Sequence, residues 1–369
     1  MNSKLLLLHP SLAPYRVDFF NFINSTFDSK FYFYYNNVLD QNFDQQYLTS
    51  QISFRQYFLN NGFRIFNRTI RFGVFPVISD YRPNIIICSE FGQVTLLAYI
   101  YYWISNKKFK LYTICDDSLA NAVERKGLRL FVRNFLLKRI DGVIFASQEV
   151  CEWHRLNFVS NMKMLNFPII HEDQAFRSKI RSSLDVANTY LTKYNLFGKK
   201  IILFTGRLVE VKNIFFLVKA FSKSNNDNSV LIIVGDGPLK QDLVTLVDDL
   251  KLVDKVLFMG RLEGKPLYAW YSIAHLFILP STFERFGAVV NEALLGGCSV
   301  LCSNKAGAIT LLNGLNGADF DPYNEIELIS LINMFIINDF YDLHSTIQLR
   351  PSLMPFTFKE KIIKLLKDL

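Results

Sequence analysis

Short apolar runs recur along the chain: Leu5 to Leu8, Phe31 to Tyr35, Ile85 to Cys88, Leu111 to Ile114, Gly142 to Ala146, Ile201 to Thr205, Val230 to Val234, Lys255 to Met259, Leu276 to Leu279 and Ser299 to Cys302. Each has the length of a strand, is apolar throughout rather than alternating, and is separated from the next by a helical stretch. Strands with apolar side chains on both faces belong in parallel sheets covered on both sides. The pattern therefore predicts an α/β chain with two doubly wound domains. The rhythm pauses from Asn166-Phe167-Pro168 to Asp173, and a polar helical stretch, Gln174 to Tyr194, precedes the strand that starts at Lys199-Lys200. This places domains at 1–172 and 173–352. In the remainder, 353–369, the capping signature Thr357-Phe-Lys-Glu360 leads into Ile362, Ile363, Leu365 and Leu366, an amphipathic helix that must pack on something.

Composition narrows the class. The chain has 369 residues and is 50% hydrophobic, enough for two cores. Its five cysteines, Cys88, Cys115, Cys151, Cys298 and Cys302, lie in apolar surroundings without CxxC or histidine partners, as expected of reduced core residues in a cytosolic protein. The Leu5 to Leu8 run is too short for a signal peptide and Val94 to Ile104 too short to span a bilayer, so no inserted anchor is expected. Residues 1–172 hold 19 Lys and Arg against 13 Asp and Glu, while the rest holds 22 against 20. The first half is the basic one. Such a face attracts anionic lipid or nucleic acid by long-range electrostatics without choosing between them.

The candidate chemistry lies where strands end. Ile201 to Thr205 runs into Gly206-Arg207-Leu-Val-Glu-Val-Lys212-Asn213, offering a fork and a point charge to a phosphate. Gly235-Asp-Gly237-Pro238 and Gly260-Arg261 follow the next two strands. Leu276 to Leu279 is followed by Pro280-Ser-Thr-Phe-Glu284-Arg-Phe286-Gly287-Ala288-Val289-Val-Asn-Glu292, a sharp loop entering a helix whose first amides can hold an anion. In a parallel sheet, loops that follow strands gather at one carboxyl edge. Two carboxylates beside an anion site suit a ligand with hydroxyls on both sides of a diphosphate, which describes a nucleotide sugar.

The order and spacing of these segments, with Gly296-Gly297 to Val300 and Gly317-Ala-Asp-Phe-Asp-Pro322, resemble glycosyltransferase family 4, the group 1 retaining glycosyltransferases of the GT-B fold. The resemblance covers most of 200–322. It implies two Rossmann-like domains facing a central cleft, with the C-terminal helix packing back on the first domain. It also implies that Arg207 and Lys212 hold the donor diphosphate, Glu292 the ribose hydroxyls and Glu284 a hydroxyl of the transferred sugar. Gly235, Gly237, Arg261 and the segment Phe286, Gly287, Ala288, Val289 would complete the donor site. No metal or cofactor is then expected, because cations and a helix terminus neutralise the leaving group.

One position departs from the pattern: Arg285 stands where the family usually has glycine. It either selects an acidic donor or points to solvent or a nearby carboxylate. In the first half, His9-Pro-Ser-Leu-Ala-Pro-Tyr15-Arg16 resembles an opening seen in some members, without the usual glycine pair. Asp116 and Asp117 follow a strand and are acceptor-side candidates, or equally a helix cap before Leu119. Arg125, Arg129 and Arg133 recur at helical spacing and would suit an anionic membrane, unless that helix merely buries its apolar face.

The expectation is a cytoplasmic transferase, with peripheral contact at the inner face of the cell membrane, moving a sugar to a glycan or lipid-linked glycan acceptor in cell-surface polysaccharide synthesis, with no nucleic acid as partner. The alternatives are a nucleotide-sugar epimerase or glycan phosphorylase of the same shape, and a non-catalytic nucleotide-sugar-binding subunit.

Overall fold

The computed structural model describes residues 3–38, 43–59, 62–65, 68–71, 73–158, 161–225, 227–337 and 348–369. The chain divides into two compact units. One comprises Met1–Asp117, Ala122–Ile169 and Ile362–Leu369, the other Ser118–Asn121 and Ile170–Lys361.

The first unit contains β1 (Lys4–His9), β2 (Asp28–Phe33), β3 (Gln56–Phe58), β4 (Phe63–Ile65), β5 (Arg68–Ile70), β6 (Ile85–Ser89), β7 (Lys110–Cys115), β8 (Gly142–Phe145) and β9 (Lys163–Asn166). Seven of them form a parallel sheet in the order β3-β2-β1-β6-β7-β8-β9, and β4 pairs antiparallel with β5. The second unit contains β10 (Lys200–Thr205), β11 (Ser229–Val234), β12 (Val256–Gly260), β13 (Leu276–Leu279), β14 (Ser299–Ser303) and β15 (Gly317–Phe320), parallel in the order β12-β11-β10-β13-β14-β15. The central strands are buried on both faces: Leu5 to Leu8, Ile86 to Cys88, Ile201 to Phe204 and Phe277 to Leu279 are each at most 1% exposed. This is the α/β architecture that the continuous apolar runs predict.

Five strands, β3, β4, β5, β9 and β15, escaped the apolar-run criterion. β3, β9 and β15 are short, and each lies at the edge of a sheet, where polar residues such as Gln56, Lys163 and Asp319 are tolerated. The helical stretch Gln174 to Tyr194 is in fact two helices, Asp173–Arg181 and Leu184–Lys193. They part at Ser182-Ser183, where the Ser183 hydroxyl donates to the Ile180 carbonyl at 2.7 Å and ends the first helix. In the last helix, Phe358–Asp368, the Thr357 amide donates to Glu360 Oε2 at 2.7 Å and the Glu360 amide to Thr357 Oγ1 at 3.2 Å, a complete capping box. Its Ile362 and Leu365 are buried, whereas Ile363 is exposed. Tyr112 Oη donates to the Leu369 carbonyl at 3.0 Å within the first unit.

Candidate functional site

In the second sheet the chain runs outward from β10 to β12, then returns to β13 and continues the other way. The loops after β10 and β13 therefore flank the point where strand order reverses, the usual ligand position in open parallel sheets. They touch directly: the Thr282 amide donates to the Val211 carbonyl at 2.9 Å. Across that junction Lys212 Nζ donates to Glu284 Oε2 in an ion pair whose side chains are 19% and 18% exposed. Both groups are held in place yet remain reachable from solvent. Arg207, in the same β10 loop, is exposed and has no side-chain partner among the described residues.

The Glu284 loop is fixed from below. The Phe286 carbonyl accepts the Ala308 amide at 2.8 Å and the Arg285 carbonyl accepts the Gly307 amide at 3.3 Å. Phe286 is 2% exposed. Gly287 sits at φ 95°, a conformation that favours glycine, and a Cβ there would come within 2.7 Å of Leu279 Cδ2 and have to displace that side chain. The loop leads into the helix Val289–Gly296, with Ala288 as its N-cap residue. The amide of Val289 opens that helix, whereas those of Val290, Asn291 and Glu292 donate back to the Gly287 and Ala288 carbonyls at 3.0, 3.0 and 3.4 Å. A phosphate there would meet the Val289 amide and the positive end of the dipole.

Glu292 lies on this helix with a 15% exposed side chain, and His171 Nε2 is 3.5 Å from its Oε1. Tyr271, fully buried, interacts with Glu292 and Thr205; burial, with the Glu292 charge second, pushes its phenol well above the usual range. The neighbouring Asn291 Oδ1 accepts the His171 amide at 2.8 Å, and the His171 ring stacks on Phe176 at 4.4 Å. His171 and Tyr271 were missed from the sequence. His171 lies in the loop after β9, an edge strand the apolar-run criterion did not find, and Tyr271 sits inside the apolar helix Lys265–Ile273 where only packing is visible.

The two glycines after β11 face backbone. A Cβ at Gly235 would lie 1.8 Å from the Gly206 carbonyl oxygen, and one at Gly237 2.4 Å from that of Leu208. They let the β11 loop seat the β10 loop that carries Arg207, with the Leu208 amide donating to the Asp236 carbonyl at 2.9 Å. Arg261 is more than half exposed and its Nε donates to Glu263 at 3.0 Å. The Arg285 side chain is exposed.

The first unit holds a second set of charges, mostly buried. Asp116 pairs with Arg16, which is 1% exposed. Asp117, also 1% exposed, accepts from Arg125 at 2.6 Å and Arg133 at 3.2 Å. The cap before Leu119 is Ser118, whose Oγ accepts the Asn121 amide at 3.4 Å, so neither aspartate fills that role. Arg133 reaches on to His154 Nε2 at 2.8 Å, while His154 Nδ1 is 2.8 Å from the Val150 carbonyl. A carbonyl can only accept, so Nδ1 carries the proton and Nε2 receives the guanidinium. Burial, then Arg133, lowers the His154 pKa to about 4. His9 behaves alike: burial first, then Arg16, brings it to about 4, with its Nδ1 2.9 Å from the Ser11 carbonyl. The arginines expected to form one membrane-facing stripe do not share a surface, because Arg133 is buried under Asp117 while Leu128 and Phe131 of the same helix, Gly127–Leu137, are exposed. Glu90, Cys115 and Asp117 stand at metal-ligand spacing. Asp117 is already saturated by two guanidiniums, however, and burial raises the Cys115 thiol well above its ordinary pKa, so this set fits a cation poorly. Among the described residues no helix is long and apolar enough to cross a membrane.

Residues 190–347 match the family model described as glycosyl transferases group 1. An uncharacterised glycosyltransferase of Methanocaldococcus jannaschii is 34% identical over 128 residues, which is 34% of this chain and 33% of the relative. A GDP-mannose-dependent alpha-mannosyltransferase of Corynebacterium glutamicum is 32% identical over 143 residues, covering 38% and 32%. The chain thus spans about a third of the length of these curated relatives. Among solved structures, Anabaena HepE in complex with UDP superposes with a TM-score of 0.74 at 18% identity, covering 99% of this chain and 100% of that one. The fold is GT-B, and the match to the group 1 model lies within the second unit.

Proposed function

We propose that this protein is a retaining, metal-independent glycosyltransferase of family 4 that moves a sugar from a nucleoside diphosphate sugar to an acceptor hydroxyl. The observation that carries this is the Lys212–Glu284 pair, held by the contact between the β10 and β13 loops beside a helix start whose first amide is open. Arg207 and Lys212 would take the diphosphate, with the Val289 amide and the helix dipole beside them. As the sugar leaves, negative charge grows on the β-phosphate, and fixed cations stabilise that charge more than the ground state. Glu284, released from Lys212 by the incoming phosphate, would accept from a sugar hydroxyl, and Glu292, steadied by Tyr271 and His171, from the ribose. Asp116 remains the acceptor-side candidate, since Asp117 is committed to Arg125 and Arg133. A lipid-linked glycan in cell-surface polysaccharide synthesis is the proposed acceptor, reached from the cytoplasmic side. Its support is the basic first half and a relative 37% identical over 110 residues whose name describes sugar transfer to a diphospho-undecaprenol-linked acceptor.

The test has two stages. A nucleotide panel including UDP and GDP is screened by thermal shift, and the best nucleotide's sugars are then assayed for slow donor hydrolysis. Glu284→Gln should lower hydrolysis by about 100-fold while the nucleotide still binds. Equal rates in the variant and the parent would favour a non-catalytic binder instead.

A further inference from the structure

At the amino edge of the first sheet, opposite the strand ends that carry His9, Glu90 and Asp116, lies a depression of about 510 Å³. Five cations line it, contributed by four separate segments: Lys107 just beyond the helix Gln93–Ile104, Lys138 and Arg139 at the end of the helix Gly127–Leu137, Lys110 opening β7 and Lys163 opening β9. Nothing in the transfer reaction described above uses them.

Helix dipoles alone do not explain the cluster. The two helix ends bring about half a negative charge each. Asp141 adds one more, and its Oδ2 is already occupied by Tyr102 Oη and the Leu111 amide, both at 2.8 Å. Against roughly two negative charges stand five positive ones, so the hollow keeps a net positive field when empty. Several of these cations already rest on neighbours, Lys110 Nζ lying 3.5 Å from Asp141 Oδ1. Lys107 adopts a left-handed conformation, φ 57°, unusual for a side chain of this type, which sets its ammonium 5.9 Å from the Tyr102 ring centroid. Arg139 lies 4.0 Å over the Phe135 ring, and Lys163 donates to the Asp368 carbonyl. Lys138 has no partner among the described residues. On the rim Trp103 is 68% exposed, a large flat surface left in water beside the charges.

We propose that this depression is a second anion site, taking a phosphate- or diphosphate-bearing ligand whose flat or apolar part rests on Trp103. Like charges gathered around one hollow repel one another, and a polyanion removes that repulsion while its neighbouring group covers the exposed indole. The ligand is either a soluble phosphorylated molecule or the headgroup of an anionic lipid, which present the same chemistry to the lysines.

The full chain is titrated with inorganic pyrophosphate by calorimetry at low salt. Two sites per chain are expected, one weakened by Arg207→Ala and the other weakened at least tenfold by the double variant Lys138→Glu, Lys110→Gln, with an unchanged melting temperature showing that the fold is intact. In a parallel arm the protein is co-sedimented with phosphatidylcholine vesicles containing about one quarter phosphatidylglycerol. Vesicle binding that the double variant loses assigns the site to a lipid headgroup; pyrophosphate binding lost by the double variant without vesicle binding in the parent assigns it to a soluble ligand. A single pyrophosphate site per chain with vesicle binding indifferent to the double variant overturns the proposal.

Discussion

The two units handle charge in opposite ways. In the second, Lys212 and Glu284 face each other across two strand-end loops with about a fifth of each side chain in water, and Arg207 stands exposed beside them. In the first, Asp117, Arg133 and His154 are each at most 1% exposed and bond to one another. A partly exposed pair can exchange its partner for a ligand at small cost, because water and the ligand's own charge replace what is lost. A buried cluster cannot, since any member removed strands the others in a medium that does not solvate them. The same residue types thus stand open to a ligand in one place and build architecture in the other.

The strongest way to break this contrast is Asp117→Ala. It should leave two guanidiniums uncompensated and lower unfolding free energy by about 3–5 kcal/mol in a urea titration. A loss under about 1 kcal/mol would mean that the cluster is not structural.

Next in size for a single group is acid lability. His9 and His154 are neutral in the fold with pKa values of about 4, against 6.5 when free. Between those limits the unfolded chain binds protons that the folded one does not, so stability is full above about pH 6.5 and falls as pH drops toward 4. Each histidine contributes on the order of 3 kcal/mol to that loss at the acid end. Urea midpoints measured from pH 7 to 4.5 should fall steadily, and His9→Gln should flatten the slope. A profile that is flat in the parent would contradict the buried neutral imidazoles.

Smallest is Lys212→Ala, which should change stability by about 1 kcal/mol or less yet weaken nucleotide diphosphate binding at least tenfold. A stability loss matching that of Asp117→Ala would erase the distinction between the two regions.

Much of the second unit was legible because its chemistry is local. Glu284, Gly287 and Glu292 lie within one loop and helix start, and Arg207 and Lys212 within another, so strand-end position and spacing announced them together. Gly235 and Gly237 were legible as special positions, although their close approach is to the Gly206–Leu208 backbone. The first unit was less legible. Arg125 and Arg133 read as a surface stripe because helical spacing cannot tell a solvated arginine from one aimed at a buried carboxylate eight or sixteen residues earlier. Tyr271 and His171 were invisible for a related reason: their partner, Glu292, is distant in the chain and near only after the helix Lys265–Ile273 packs on the helix Val289–Gly296.

By itself the sequence determined the two parallel sheets and the strand-end loops that carry charge, because continuous apolar runs admit few other solutions and loops must follow strands. Only tertiary structure decided which charges remain available. Whether a carboxylate meets water, a lysine or a pair of guanidiniums depends on the packing of elements far apart in the chain. Burial changes the energy of a charge far more than any neighbour in sequence does.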